Sequence, residues 1–491
     1  MAEVALQEFV ATQKRLLELE LRAEEDTSTA NAAASGRDNE AARGFFLRNL
    51  DVIDTSIGLY GRTVVTFGSA STVTSSNSDH NGKNALLSKL LPSHRLTVGD
   101  EIAVLAKNGK GSQLQSSKKS RSSVGGVICA SDETSISVAL FGDSKERTTG
   151  ESKDKKKETV DNNDIDDDGE MLGGPAPYSI VPKSSADVHR KMVLTLDNLE
   201  KEGVNHGIAR DIITAAFEPS NPNYKADLSS ARIEALEKEY NLDATNLDYS
   251  QKEAIIFALS STCPISLIHG PPGTGKTTTV ANLIRCAVRC LGWKVLVTAP
   301  SNVAVDNVLE RIMQIEEAES KGTSKRRANK SSKSKIKAVR LGHPARIQQG
   351  IQKYSLESLV QSSDGTEIVR DCRNEMNDHL RTLSNPKSRS SEKRVAYREM
   401  KSLRKEIRSR EEKVVGQILR DSNVILATNV GAASSVLNRM VDGRGDPIPF
   451  DLVIIDEAAQ ALEASCWISL MRGNRAVLAG DHKQLPPTGE F

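Results

Sequence analysis

Aromatic residues make up only 4% of this 491-residue chain, and none of its six cysteines (129, 263, 286, 290, 372 and 466) belongs to a CxxC pair. With no such pair and no secretory leader, the thiols read as those of a reduced cytosolic or nuclear protein, not as a disulfide framework. Cys286 and Cys290 stand four apart on an expected helix, but no histidine or further cysteine joins them in the sequence to complete a metal site. No apolar run approaches the roughly 18 residues that a membrane span needs. The N-terminus, MAEVALQEFVATQKRLLELE, has no basic segment or apolar core and carries early acids. That excludes a signal or transit peptide. Net charge is only +1, so no global field draws the chain to nucleic acid. The charge is uneven, however: residues 161–170, DNNDIDDDGE, are acidic and residues 321–337, KGTSKRRANKSSKSKIK, are basic.

What is present describes a soluble globular chain, with 38% hydrophobic and 27% charged residues. Its length suggests roughly three domains. Leu6, Val10, Leu17 and Leu21 form one apolar stripe, which predicts an N-terminal helix over the first segment. From about residue 45 the pattern changes to short β-rich runs at 59–67, 100–106, 124–130 and 134–141 between Gly, Ser and Asn clusters. Such spacing predicts a small barrel. Residues 144–170 are too charged to bury anything and are expected to form a disordered loop. Helices are expected again near Ser185, with Val188, Met192, Leu196 and Leu199 on one side. From about 264 onward, PISLIHG, KVLVTAP, KAVRLG, NVILATN, DLVIIDE and RAVLAGD are nearly continuous apolar runs separated by helical stretches. Strands buried on both faces of a parallel sheet read this way. A charged helical interruption spans 350–418, where Ala396, Met400, Leu403 and Ile407 make a heptad-like seam. A self-packed helical pair is favoured there over a recognition helix.

GPPGTGKT at 270–277 follows the apolar strand ISLIH and opens a helix whose apolar face is Val280, Leu283, Ile284, Ala287, Val288 and Leu291. This is the phosphate-loop pattern G-x-x-x-x-G-K-[ST] in its required setting. Gly270, Pro271, Pro272, Gly273, Thr274, Gly275, Lys276, Thr277 and Thr278 would curl backbone N–H groups around phosphate oxygens at a helix N-terminus. Lys276 would reach the β- and γ-phosphates and Thr277 would offer its hydroxyl to Mg²⁺. Such a loop needs an acid at the end of a neighbouring strand, and DLVIIDE supplies Asp456 and Glu457. Asp456 would hold Mg²⁺ through its water shell, and Glu457 would orient the attacking water.

DEAAQ (456–460) and GDHKQLPPT (480–488) resemble motifs II and III of superfamily 1 helicases. APSNVAVDN (299–307) resembles motif Ia, LATN (426–429) motif Ic, and LDYSQKEAI (247–255) the Q motif. Within that superfamily the chain is most similar to the Upf-like group and its immunoglobulin-mu-binding, or Smubp, type. FVATQKRLLELE, GLYGRTVVTF, RLGHPAR and ALEASCWI extend the likeness over most of the chain outside the charged loops. The resemblance implies an α/β fold: a RecA-like P-loop parallel sheet with an inserted helical subdomain, preceded by a small β-barrel on helical stalks. It assigns 1–44 to a stalk helix, 45–184 to the barrel, 185–245 to stalk helices and 246–491 to a RecA-like ATPase domain. The basic loop at 321–337 and the helical insertion at 350–418 belong to the last of these. By position it implies that Gln251 reads the adenine edge, that Gln484 senses the γ-phosphate, and that Asp481 supports that network. Ser301, Asn302 and Thr428 would meet phosphates of single-stranded DNA or RNA. For Ser301 and Asn302 a helix N-cap is the structural alternative, and Thr428 is equally open. The basic run is a solvated loop, a phosphate contact or a nuclear address.

The activity implied is that of an ATP- and Mg²⁺-dependent 5′-to-3′ DNA/RNA helicase. The family places ATP between two RecA-like domains, and the second, with its arginines, is expected to be absent after Phe491. Loss of an arginine finger is worth about 10³–10⁵ in rate, roughly 4–7 kcal/mol of barrier. The chain as written is therefore expected to bind ATP and nucleic acid but hydrolyse poorly. A natural short nucleic-acid-binding product is the alternative, and a nucleotide switch unrelated to nucleic acid a third.

Overall fold

The computed structural model describes residues 2–34, 46–57, 63–69, 90–106 except 93 and 95, 123–140, 177–182, 186–203, 207–218, 224, 229–242, 245–322, 335–363, 366–384 and 389–487. The expected loop at 144–170 and positions 323–334 of the basic run lie outside them. The chain divides into two compact units: residues 1–29, 185–364 and 412–491 form one, and residues 30–184 and 365–411 the other.

The second unit contains a closed antiparallel barrel. Its strands are β1 (Leu47–Ile57), β2 (Thr63–Ser69), β3 (Glu101–Ala106), β4 (Ser123–Ser131), β5 (Ser135–Leu140) and β6 (Tyr178–Pro182), closed in the order β1-β2-β5-β4-β3-β6. Alternate side chains point inward, and Leu47, Leu50, Val65, Phe67, Ile102, Ile128, Ile136 and Ile180 fill the interior. β1 lies ahead of the expected first run, and β6 closes the ring from beyond the charged loop. β1 also carries a register shift between Val52 and Asp54, which breaks its alternation.

The same unit holds most of a helical hairpin whose helices span Thr366–Ser384 and Ser390–Asp421. Cys372, Met376 and Ile407 form its buried centre with Leu403 against them. Ala396 and Met400 are buried as well, so the heptad-like seam is the packed face of the pair.

The first unit is built on a six-stranded parallel sheet. Its strands are β7 (Ile265–His269), β8 (Val295–Ala299), β9 (Ala338–Arg340), β10 (Val424–Thr428), β11 (Leu452–Ile455) and β12 (Ala476–Gly480). They lie in the order β7-β12-β11-β8-β10-β9. Every residue of β8 and β11 is buried, as continuous apolar runs require. The order corrects one expectation. β11, which leads into Asp456, does not neighbour the phosphate-loop strand β7, because β12 lies between them. Apolar strands read alike in sequence, whereas their order is set by how the crossover helices pack.

Helices cover the sheet. Those that matter for the site are α5 (Tyr249–Ser260), α6 (Lys276–Arg289) and α7 (Asn302–Gly322), numbered in chain order after α1 (Ala2–Ala34), α2 (Ala186–Glu202), α3 (Arg210–Phe217) and α4 (Ser230–Glu239). Residues Thr279–Val288 of α6 are all buried, and Gly292 takes the left-handed φ of +70° just past its end. Leu6, Val10 and Leu17 of α1 are buried. Phe9 packs edge-on against Phe217 and Trp467 at centroid distances of 5.5 and 6.2 Å. The sheet register pairs Gly480 with His269, Leu478 with Ile455, and Ile455 with Thr298. Gly270, Asp456 and Asp481 therefore leave the sheet along one carboxyl edge, where open α/β sheets hold ligands.

Candidate nucleotide site and strand-binding edge

β7 ends at His269, and the chain turns through 270–275 into α6. Gly273 and Gly275 both have φ of +79°. Space is as restrictive as backbone conformation. A Cβ on Gly275 would lie 2.7 Å from Gln251 Nε2, and one on Gly270 would lie 2.7 Å from Thr274 Oγ1. Residues 271–274 are exposed, while Lys276, Thr277 and Thr278 are half-buried at the start of α6. The loop is held by its own side chains: Thr274 Oγ1 donates to the Pro271 carbonyl at 2.7 Å, and Lys276 Nζ donates to the Gly270 carbonyl at 2.7 Å. Thr278 Oγ1 accepts from Arg311 Nε of α7 at 3.1 Å.

Gln251 stands at the third position of α5. Asp248 caps this helix by accepting from the Gln251 N–H at 2.9 Å, and Gln251 Oε1 accepts from the Asp248 N–H at 3.2 Å, a complete capping box. The Ser250 hydroxyl, and then the Gln251 N–H, hold the Asp248 carboxyl below its usual range. Gln251 Nε2 donates to the Thr274 carbonyl at 2.9 Å. Both ends of the expected adenine-reading amide are thus engaged, one with the helix cap and one with the phosphate loop.

Asp456 follows β11 and is 2% exposed. Its N–H donates to the Thr298 carbonyl at 2.8 Å, which fixes it against β8. Its Oδ1 and the Thr298 hydroxyl are buried with no hydrogen-bond partner among the described residues. Burial, and then the charge of Glu457, raise the Asp456 pKa to about 6, opposed by the Glu457 N–H and the Lys276 ammonium. Asp456 therefore lies within electrostatic reach of Lys276. A buried carboxylate oxygen without a donor, beside a phosphate loop, is the coordination chemistry a divalent cation takes. Glu457 has a left-handed φ of +51°, costly for a residue with a Cβ, and its Oε2 accepts from Gln460 Nε2 at 3.2 Å.

Asp481 follows β12 with 4% exposure. Its Oδ1 accepts from the Lys483 N–H at 3.0 Å and from His269 Nε2 at 3.2 Å, and its Oδ2 accepts from Gln484 Nε2 at 3.3 Å. The Lys483 N–H is the largest cause holding its carboxyl below the usual range. Asp481 thus joins Gln484 to the residue that precedes the phosphate loop. The loop is tied to β12 a second time by Gly270 N–H donating to the Gly480 carbonyl at 3.4 Å.

Ser301, Asn302 and Thr428 gather farther along the same edge, where β8 and β10 pair in register through Ala299 and Thr428. Ser301 Oγ accepts from the Ala304 N–H at 3.1 Å, so it caps the start of α7. Asn302 does not cap. Its Oδ1 accepts from Arg340 Nη2 at 2.8 Å. Thr428 Oγ1 accepts from the Gly431 N–H at 3.0 Å. In each case the side-chain oxygen is satisfied by the protein. Arg340, Arg311, His269 and Gln460 had no assigned role from the sequence. Their partners are distant or lie across a turn, and no local spacing announces them.

The sequence comparisons agree with this geometry. The family description "AAA domain" matches residues 246–489, and "Helicase SMUBP-2/HCS1, 1B domain" matches residues 10–160. The chain is 34% identical over 492 aligned residues to "DNA-binding protein SMUBP-2" of Rattus norvegicus, an alignment covering 99% of this chain and 41% of that protein. It is 30% identical to "DNA polymerase alpha-associated DNA helicase A" of Schizosaccharomyces pombe, over 91% of this chain and 56% of that protein. Identity to "Regulator of nonsense transcripts 1 homolog" of Neurospora crassa is 35%, over 49% of this chain and 18% of that protein. The chain therefore spans about two fifths of the SMUBP-2 protein it matches nearly end to end. With the parallel sheet, the phosphate loop and the antiparallel barrel in place, the chain belongs to the SMUBP-2/HCS1 family of Upf1-like superfamily 1 helicases.

Proposed function

We propose that the chain carries the nucleotide-binding half of an ATP-dependent 5′-to-3′ DNA/RNA helicase and binds ATP, Mg²⁺ and single-stranded nucleic acid. The observation that carries this reading is the placement of the Lys276 loop, the unpartnered Asp456 oxygen and the Asp481–Gln484 pair along one sheet edge. Backbone N–H groups of 270–278 enclose the phosphates, and Lys276 exchanges the Gly270 carbonyl for phosphate oxygens. Thr277 and Asp456 would hold Mg²⁺. The ion supplies charge neutralisation at the phosphates. Glu457 orients the attacking water. Gln484 follows the γ-phosphate and, through Asp481, reports to β7 and β12. Gln251 meets the adenine edge by exchanging one of its two internal bonds. Ser301, Asn302 and Thr428 contact phosphates without reading bases. Work takes place in the nucleus or cytoplasm, and no helix among the described residues is long and apolar enough to cross a membrane.

The test is nucleotide binding by the purified chain, wild type against Lys276→Ala. Wild type is expected to bind a fluorescent ATP analogue in the presence of Mg²⁺, and the variant to lose binding at least tenfold, a loss of about 1.4 kcal/mol. Equal affinity in the two proteins refutes the phosphate assignment.

A further inference from the structure

We infer that Arg340 is a positioning residue for the strand-binding edge: it locks the Asn302 amide with its oxygen inward, so that only the NH₂ is offered to a nucleic-acid phosphate. The inference rests on the proposed phosphate contact of Asn302 and adds a residue that the contact depends on.

Arg340 closes the short strand β9, behind Ala338 and Val339, and has no exposed surface. A guanidinium buried this deeply is tolerated only when its donors are satisfied. Its Nε donates to Asp306 Oδ1 at 2.8 Å, its Nη1 to the Leu341 carbonyl, and its Nη2 to Asn302 Oδ1 at 2.8 Å. Asp306 is itself 4% exposed in its side chain, and its Oδ2 accepts from the Gln348 N–H at 3.0 Å. Asn302 and Asp306 are one turn apart on α7 and so face the same neighbour. One cation from the adjacent strand therefore grips the first turn of α7 at two points.

The chemistry of the amide gives this grip a purpose. A free asparagine side chain presents either its carbonyl or its NH₂ by rotating about its last bond. A phosphate oxygen accepts hydrogen bonds and is repelled by a carbonyl oxygen. A donor that cannot donate to Asn302 nitrogen fixes the choice: Arg340 has no acceptor, so the oxygen must turn to it. The outward group is then always a donor.

The experiment measures binding of fluorescent oligothymidylate to the full chain across a salt series, for wild type, Asn302→Ala, Arg340→Lys and the double variant. Melting temperature and ATP-analogue affinity are the controls. Lysine keeps a charge for Asp306 but cannot span both partners. Asn302→Ala and Arg340→Lys are each expected to weaken binding about tenfold, as loss of one hydrogen bond to a charged group predicts. The double variant should be no weaker than either single one, with ATP-analogue affinity unchanged. If Asn302→Ala binds like wild type, the phosphate assignment of Asn302 fails. If it weakens while Arg340→Lys does not, or if the two losses multiply, the positioning role is overturned and the phosphate contact stands. Should Arg340→Lys be too unstable to assay, the side-chain amide resonances of Asn302 in the wild type decide. They must shift as oligothymidylate binds, and their constancy overturns the inference.

Discussion

Asp456 takes up a proton more readily than a surface aspartate, and the consequence is a defined pH signature. Its pKa rises from the ordinary 3.8 to about 6, first through burial and then through Glu457. A carboxyl whose folded pKa is raised favours the protonated folded state. Its ionisation therefore destabilises the fold: not at all below 3.8, progressively as pH rises toward 6, and fully above. A shift of this size corresponds to about 3 kcal/mol. Asp456→Asn is expected to melt above wild type near neutral pH without nucleotide, and the gap should close as pH falls through that window. Equal melting curves at all pH values would show that the carboxylate is paid no such penalty. With Mg²⁺ and nucleotide the order should reverse, because a bound cation favours the carboxylate that burial alone disfavours. Ser301 provides a second test at this scale. If its hydroxyl acts only as the cap of α7, Ser301→Ala should cost about 1 kcal/mol of stability in a denaturant melt and leave oligothymidylate affinity unchanged. Weakened binding at constant stability would assign it a phosphate as well.

Among the described residues of the helical hairpin, Cys372, Met376 and Ile407 form one small buried cluster. Ile407 is fully buried against Cys372 and Met376. Ile407→Ala should cost about 2–5 kcal/mol and remove hydrogen-exchange protection from the hairpin while the sheet strands keep theirs. The seam was legible in the sequence because a heptad spacing survives a charged surface. The six strands of the parallel sheet were legible too as nearly continuous apolar runs; β8 and β11 are buried throughout, whereas β7 at the sheet edge keeps an apolar run although Leu267 is exposed. β1 was not. Leu47–Ile57 includes Asn49, Asp51 and Asp54, Asn49 has φ of +56°, and the register shift interrupts the alternation. β6 is only five residues long and ends in Pro182, so it reads as a loop margin. Strand order was equally hidden, which is why β12 appeared between β7 and β11 only in three dimensions. At the candidate site, the loop, Asp456 and Gln484 were singled out from spacing and resemblance. The bonds that organise them were not, because Gln251 to Thr274 and His269 to Asp481 join segments far apart in sequence.

For the whole molecule, ligand linkage separates the two units. A nucleotide that binds only the folded chain adds about 2.7 kcal/mol of stability at a hundredfold excess over its Kd. Hydrogen exchange with and without an ATP analogue is expected to show the added protection in residues 245–322 and 424–487, where the loop and its partners lie, and none in the barrel strands. Single-strand binding should fall steeply with salt, since phosphate contacts release counterions. An affinity insensitive to salt would remove the basis for placing Ser301, Asn302 and Thr428 on a nucleic-acid track.

The bond from Lys276 to the Gly270 carbonyl ties the ammonium to the rim of its own loop. On the proposed function, an incoming triphosphate would compete with that carbonyl for the ammonium. Arrival would then be a swap of one oxygen for another around the same ammonium, and departure would let it fall back and hold the rim in shape.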